Sequence, residues 1–300
     1  MAKLFRNIFR SFLINFLRLT RPLSNLKNFA IILIAFYFSG AKFNLWLFIW
    51  GVFSLSLISS AIYVYNTIND LPIDQNNENK KHYAEAVKFF GEKGSFVIVL
   101  FLIMTGLAIG YYLGRGLFVS LLALLTAGFL YSSKYTRFKE KIVLDILFGA
   151  SLTFLLRFIA AWFIFSNSFP YLLPISALVF GKTAGYILYK SMDREYLLSQ
   201  QNKNTITSLS LKSLFVFSLF FLTLVFLSVV LMFLNPIYFH IDVLGSLPIQ
   251  ALFLIPFAIP PIIIIFFQII RKTKFKNLSL RIWGYVYMLL VIIVSYWIIK

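Results

Sequence analysis

The sequence predicts an all-α, polytopic membrane protein with nine transmembrane helices, on three observations. First, 60% of its residues are hydrophobic and only 13% are charged, where ordinary soluble domains carry about 25% charged residues. Second, nine segments approach the roughly 20 apolar residues that a helix needs to cross a bilayer. They cover about 28–41, 44–66, 95–113, 116–133, 143–166, 171–189, 212–234, 249–270 and 281–299. Third, lysine and arginine gather on one side of that alternation, as cytoplasmic loops require.

Residues 1–27 precede the first span as a basic arm. Lys3, Arg6 and Arg10 interleave with Phe5, Ile8, Phe9, Phe12 and Leu13, the pattern of an amphipathic helix lying on the membrane surface. No small-residue cleavage site follows it, so it does not read as a signal peptide. Residues 28–300 then form a single nine-helix domain, with cytoplasmic loops at 67–94, 134–142, 190–211 and 271–281. The arm and these loop regions, with Lys212 at the edge of the fourth, hold 23 of the 28 lysines and arginines, against Lys42, Arg115 and Lys300 on the far side. The amino terminus is therefore expected on the cytoplasmic side, most simply of a cell inner membrane. In the eighth span Pro256, Pro260 and Pro261 are expected to kink or break the helix.

Composition also excludes chemistry. Cysteine is absent and histidine occurs twice, which removes disulfides, thiolate sites and multi-histidine metal centres. The net charge of +18 follows from membrane topology rather than from nucleic-acid binding.

Nine of the ten acidic residues fall in the cytoplasmic regions. In "YNTINDLPIDQNNENKKH" (65–82), Asn66, Asp70, Asp74 and Glu78 stand four apart, with Lys80 and Lys81 behind them. On a helix Asn66, Asp70 and Asp74 would share one face, about 6 Å apart, although Pro72 predicts a break near Leu71. Close carboxylates repel unless a cation joins them. Such hard oxygen ligands suit Mg²⁺, which is usually completed by substrate phosphates; the alternative is a solvated loop whose acids balance its lysines. In "YKSMDREYLL" (189–198), Asp193 and Glu195 form a second acidic pair that shares no helical face. Arg157 and Lys182 fall inside apolar spans, where each costs roughly 2.5–3.5 kcal/mol on insertion scales and calls for a cavity or a counter-charge. Lys182 has snorkelling as an alternative.

Together these residues resemble the UbiA superfamily of intramembrane prenyltransferases. Its first motif, Asn-Asp-x-x-Asp-x-x-x-Asp, is matched in "NTINDLPID" by Asn66, Asp70 and Asp74, with Thr67 in place of the first aspartate. "MDRE" (192–195) is similar to its second motif. "RPLSNLKN" (21–28) and "YSSKYTRFKEKIVLDILFGASLTFLLRFIAA" (131–161) look like the branch that transfers phosphoribose to polyprenyl phosphate, through Arg21, Pro22, Lys27, Asn28, Tyr131, Ser132, Lys134, Asp145 and Arg157.

The resemblance implies helices around a central cavity, and a transferase that uses Mg²⁺-bound diphosphate on a polyprenyl diphosphate or polyprenyl phosphate lipid. The other substrate is a small-molecule acceptor or phosphoribosyl diphosphate. On this reading Asp70, Asp74, Lys134 and Asp193 are catalytic, and Asn66, Asp70, Asp74, Asp193 and Glu195 are the metal ligands. Asn66, Lys27, Asn28, Lys80, Tyr131, Asp145, Arg157, Lys182, Lys190 and Arg194 are the substrate-binding residues. A transporter or flippase for an anionic lipid or solute, with Arg157 and Lys182 along its path, is the non-enzymatic alternative. A family member that has lost its chemistry is another.

Overall fold

The computed structural model describes residues 2–245, apart from Asn79, Asp193 and 200–202. The eighth and ninth expected spans and the 271–281 loop lie outside the described residues. Among the described residues the chain is helical and has no strand. Helix α1 (Ala2–Thr20) leads through a 3₁₀ turn (Pro22–Asn25) into α2 (Leu26–Ser39) and α3 (Leu45–Asn69). Then follow α4 (Leu71–Asp74), α5 (Lys81–Leu113) and α6 (Arg115–Ser132). Next come α7 (Leu144–Ile146), a π turn (Leu147–Ser151) and α8 (Leu152–Trp162), which together make one span. Helices α9 (Leu172–Met192), α10 (Arg194–Ser199), α11 (Thr205–Ser208) and α12 (Leu211–Leu234) complete the described set. Among the described residues six stretches are long and apolar enough to cross a membrane. Helix α2, at 14 residues, covers the short first segment that the sequence predicts and is not among the six.

Small residues let the helices approach, since lipid tails give apolar side chains no reason to prefer one another. Ser54 donates to the Gly106 carbonyl at 2.8 Å, tying α3 to α5. A Cβ on Gly128 would stand 2.8 Å from three atoms of Ile62, so α6 reaches α3 only as glycine. Around these contacts Leu55, Ile58, Leu117, Leu121, Leu124 and Phe158 form the buried core. An apolar cavity of about 470 Å³, lined by Phe29, Phe48, Trp50 and Phe53 among others, lies near the start of α3, away from its charged end.

One boundary differs from expectation. The helix that carries the third expected span begins at Lys81 rather than at residue 95, so much of the 67–94 region is helical. Its charges disguise a packed face: Ala84, Ala86 and Val87 are buried, the last two in a cluster with Leu19, Ala61 and Val64. Glu85 pairs with Arg18 of α1 at 3.8 Å. The chain changes direction at Gly91, whose φ of 72° suits glycine.

The loop after α6 is fixed by a distant one. Asp145, 1% exposed, accepts hydrogen bonds from the Thr205 backbone N–H at 3.1 Å and from the Thr205 hydroxyl. The same hydroxyl oxygen accepts from the Val143 N–H at 2.7 Å, which holds that β-branched residue at φ 68°. Asn204 donates to the Lys139 carbonyl at 3.4 Å. Arg194 donates to the carbonyls of Ile206 and Thr207 at 3.1 and 3.4 Å.

Two of these contacts and one open position give stability outcomes. Gly128→Leu overpacks the α3–α6 contact and lowers stability by about 1–3 kcal/mol, read as a fall in the melting midpoint in detergent. Gly185→Ala, whose Cβ meets nothing within 4 Å, does not lower the midpoint, since alanine is the better helix former. Thr205→Val removes a bond to a charged group and orphans the Val143 N–H, at about 1.5–3 kcal/mol. Hydrogen exchange should then rise across 134–145; unchanged exchange there would show that the loop is held by other means.

Candidate functional site

The end of α3 carries Tyr63, Asn66, Thr67 and Asp70 at intervals of three and four, so they line one face. The helix stops at Asn69, as Pro72 predicts, and Pro72 opens the short α4. The break does not carry Asp74 away, because its N–H bonds to the Asp70 carbonyl at 2.8 Å. Asp70 and Asp74 are 7% and 1% exposed, so both carboxylates sit in a largely dry site.

Cations meet them there. Lys139 donates to Asp70 Oδ1 in an ion pair and approaches Asn66 Oδ1 at 3.4 Å. Ser132 donates to the same Asn66 oxygen at 2.8 Å. Lys80 pairs with Asp74 Oδ1 at 3.0 Å. Arg21 donates to the Thr67 hydroxyl at 2.7 Å and lies 3.6 Å over the Tyr83 ring. Burial lowers the pKa of Lys139 from the ordinary lysine value, and Asp70 opposes that shift. Burial likewise lowers Arg21, against the pull of Tyr83, Tyr63, Asp74 and Asp70. The hydrogen bond to Glu140 raises Arg137 on the same loop as Lys139.

The donor set fits a hard divalent cation that shares its shell with a ligand. Asn66 Oδ1 and Asp70 Oδ1 converge on one cationic nitrogen, and Asp74 Oδ2 is buried with no hydrogen-bond partner. Among the described residues no group of three or more Asp, Glu, His or Cys is gathered closely enough to hold a metal alone. Ligand oxygens would therefore have to complete the coordination, as is usual for Mg²⁺.

A second polar cluster lies deeper along α3. Lys27 donates to the Tyr63 hydroxyl, and its ammonium stands 5.0 Å from the ring centroid. The charges of Arg157 and Lys182 act on Lys27, and Arg157 also acts on Tyr63. Arg157 is 9% exposed and its Nε has no partner. Beside the loop tie, Tyr131 and Tyr186 share a hydrogen bond at 3.0 Å, and Lys190 lies 5.9 Å from the Tyr186 centroid.

The other expected site residues stand apart from these clusters. Asn28 is fully buried between α2 and α3, donating to Ser59 at 3.2 Å. Both Asp145 oxygens are taken by Thr205, and Arg194 is engaged with backbone carbonyls, so each holds a loop in place. Lys134 is exposed and joined to none of the described residues by a hydrogen bond or ion pair. Glu195 is also exposed, and Asp193 lies outside the described residues.

Lys139, which takes the place against Asp70, carries no motif that singles it out from Lys134 and Lys141 on the same loop. The Lys27–Tyr63 pair was equally hidden. Its one signal is that Tyr63 precedes Asp70 by seven residues, two turns along the same face.

Solved structures share the fold. The chain superposes on a UbiA homologue from Archaeoglobus fulgidus bound to GPP and Mg²⁺ with a TM-score of 0.74 and 20% identity, covering 95% of this chain and 99% of that one. The same homologue bound to DMAPP and Mg²⁺ gives a TM-score of 0.67 at 19% identity, with the same coverage. A digeranylgeranylglyceryl phosphate synthase in membranes gives 0.67 at 18%, again over 95% and 99%. No curated protein sequence matches. Residues 28–283 match the UbiA prenyltransferase family, and this multi-pass membrane protein belongs to it.

Proposed function

We propose that the chain is a Mg²⁺-dependent transferase that cleaves a diphosphate ester at the membrane surface and uses a polyprenyl lipid as one substrate. The observation that carries this reading is the convergence of Asn66 and Asp70 on one cationic nitrogen beside the orphaned, buried Asp74 oxygen. Solved structures of the same fold contain GPP or DMAPP with Mg²⁺, which supports Asn66, Asp70 and Asp74 as ligands of that ion. Asp193 and Glu195 complete the proposal as ligands of a second ion.

When bound, Mg²⁺ supplies positive charge to the departing diphosphate. The chain's own groups do the rest. Asn66, Asp70 and Asp74 would hold the ion that positions the diphosphate, and Lys80, Lys139 and Arg21 supply cationic hydrogen-bond donors around it. Charge that develops on the leaving oxygens is thus met by groups already in place. The bond between the isoprenoid carbon and the diphosphate oxygen breaks, and its electron pair leaves with the diphosphate. The acceptor atom bonds to that carbon and gives up its proton. Aromatic side chains are available to shield an allylic cation, since the sequence has 36 phenylalanines and 16 tyrosines.

A second version keeps the same site and exchanges the roles. Phosphoribosyl diphosphate is the donor: a polyprenyl phosphate oxygen bonds to its anomeric carbon, and the bond from that carbon to the diphosphate oxygen breaks, its electron pair leaving with the diphosphate. Arg157, 9% exposed with its Nε unpartnered, suits the phosphate of this version and the carboxylate of an aromatic acid alike. In either version the site faces the cytoplasm, as the distribution of lysine and arginine supports, and α1 lies at the interface on its exposed Phe5, Ile8, Phe9 and Phe12 face.

Pyrophosphate release by the detergent-purified protein tests both versions. One reaction holds phosphoribosyl diphosphate and a polyprenyl phosphate; the other holds a polyprenyl diphosphate and an aromatic acid. Release is expected with one pair, to require Mg²⁺, and to fall by on the order of 10²-fold or more in Asp70→Asn and Asp74→Asn. Undiminished release from Asp70→Asn would remove the metal role assigned here. Silence with both pairs, from folded protein, would point to an untested acceptor or to lost chemistry.

A further inference from the structure

Helix α1 carries one apolar stripe. Phe5, Phe9, Phe12, Phe16 and Leu19 recur at intervals of three and four, with Ile8 beside them, so they share a face. The two halves of the stripe meet different surroundings. Leu19 is fully buried in the cluster with Ala61, Val64, Ala86 and Val87, and Ser60 of α3 donates to the Thr20 carbonyl at 2.8 Å. Arg18 pairs with Glu85, and the Phe12 ring meets Phe90 edge-on at 5.4 Å. These contacts pass from residue 85 to 90 as α1 goes back from 18 to 12, so α1 runs along the start of α5 toward the kink at Gly91. Residues 5–11 continue past the last of them by about 10 Å, at 1.5 Å per residue, and all seven are exposed.

Arg21 stands directly after this helix. It holds φ 50° and ψ 55°, a left-handed conformation that a residue with a Cβ keeps only when the structure on both sides fixes it. Its N–H bonds back to the Leu17 carbonyl at 3.0 Å, so the last turn of α1 sets where its side chain leaves. That side chain donates to Thr67 and lies over the Tyr83 ring, at the mouth of the site.

We propose that the free half of α1 docks on the anionic headgroups of the adjacent membrane leaflet, and that this docking holds Arg21 against Thr67 and Tyr83. Place and charge name the occupant. Past Gly91, α5 enters its apolar span and exposes Phe96, Val97, Leu100 and Phe101, so lipid lies beside the point where α1 loses its protein contacts. Arg6 and Arg10 flank the stripe one turn apart, and α1 contains no acid to balance them. Apolar side chains with basic flanks enter the headgroup boundary of an anionic surface more readily than that of a neutral one. Undocked, α1 is held only from Phe12 onward. Docked, it is fixed at both ends, and the left-handed turn at Arg21 is fixed with it.

That docking regulates turnover rests on the transferase reading above; the docking and its effect on Arg21 do not. The chain has no cysteine, so Phe9→Cys on the stripe and Asn7→Cys on the opposite face each take a single nitroxide label. The full-length protein is placed in vesicles of phosphatidylcholine, or of phosphatidylcholine and phosphatidylglycerol in equal parts. With phosphatidylglycerol, the label at residue 9 should be shielded from a water-soluble nickel complex by at least about threefold relative to residue 7. The shielding should shrink in phosphatidylcholine alone, in high salt, and in Arg6→Gln with Arg10→Gln. Hydrogen exchange across 80–84, beneath the Arg21 guanidinium, should slow by about twofold or more with phosphatidylglycerol. Arg21→Gln should abolish that slowing while residue 9 stays shielded, which direct packing of α1 on α5 would not allow. If Arg21→Gln fails to fold, Thr67→Val, which removes the acceptor, decides.

Equal access of the nickel complex to residues 7 and 9, or shielding that ignores the headgroup, overturns the docking. Dipolar broadening between labels that disappears on dilution with unlabelled protein would overturn it too, by showing a second copy on the stripe. Exchange across 80–84 that ignores phosphatidylglycerol, or slowing that survives in Arg21→Gln, overturns the coupling. Failure of the transferase reading looks different. It would leave the shielding and the slowed exchange in place, with no Mg²⁺-dependent pyrophosphate release in either kind of vesicle.

Discussion

A carboxylate can be held at the edge of a lipid-filled interior only if a cation comes with it. Asp70 and Asp74 are nearly dry, and a buried charge left alone costs several kcal/mol. The described residues answer with Lys139 at Asp70 and Lys80 at Asp74. These ammonium groups are monovalent and mobile on long stems, whereas the oxygens they meet are fixed. Asp74 keeps one oxygen without a partner, so lysine compensation there is incomplete. Such a site is stable enough to fold and still favours a better cation.

Much of the surrounding structure serves that compensation. Lys139 lies in a loop whose only regular element is a 3₁₀ turn, Phe138–Glu140. Its position depends on the Arg137–Glu140 pair and on bonds to Asn204 and Thr205 from across the bundle. Asp145 anchors this tie at the start of a span, just before the π turn Leu147–Ser151. A π turn shifts the helix phase, and here it contains Gly149. A Cβ at that position would meet Tyr186 at 2.8 Å and Tyr131 at 3.1 Å. The glycine thus makes room for the tyrosine pair between the loop tie and the interior. Ser151 closes the arrangement by sharing a hydrogen bond with Thr183, the neighbour of Lys182, at 2.8 Å.

The carboxylates were legible because acids at that spacing stand out against so apolar a chain. Asn66, Asp70 and Asp74 stood out, and Pro72 marked the helix break correctly. The described spans were legible for the same reason, since hydrophobic length is a one-dimensional property. What stayed hidden was tertiary. Lys139 and Lys134 are indistinguishable along the chain, and only the fold turns one toward Asp70 and leaves the other exposed. Asp145 and Arg194 read as ligand-binding charges but hold backbone and loops instead. The helix from Lys81 was missed because its charged face is visible in sequence, while its partners Leu19 and Ala61 belong to other helices.

The two polar clusters along α3 differ in how their charge is met. At the mouth Asp70 and Asp74 are paired with Lys139 and Lys80, so carboxylates and cations balance one another. Deeper, Lys27 has the Tyr63 hydroxyl, and Arg157 is 9% exposed with its Nε unpartnered. Tyr63 precedes Asp70 by seven residues, about 10 Å along a helix rising 1.5 Å per residue. Two unit charges about 10 Å apart at an effective dielectric of about 20 interact by roughly 1.7 kcal/mol. The carboxylates at the mouth therefore relieve the deeper cations only in part, and their charge is already taken up by the lysines that pair with them.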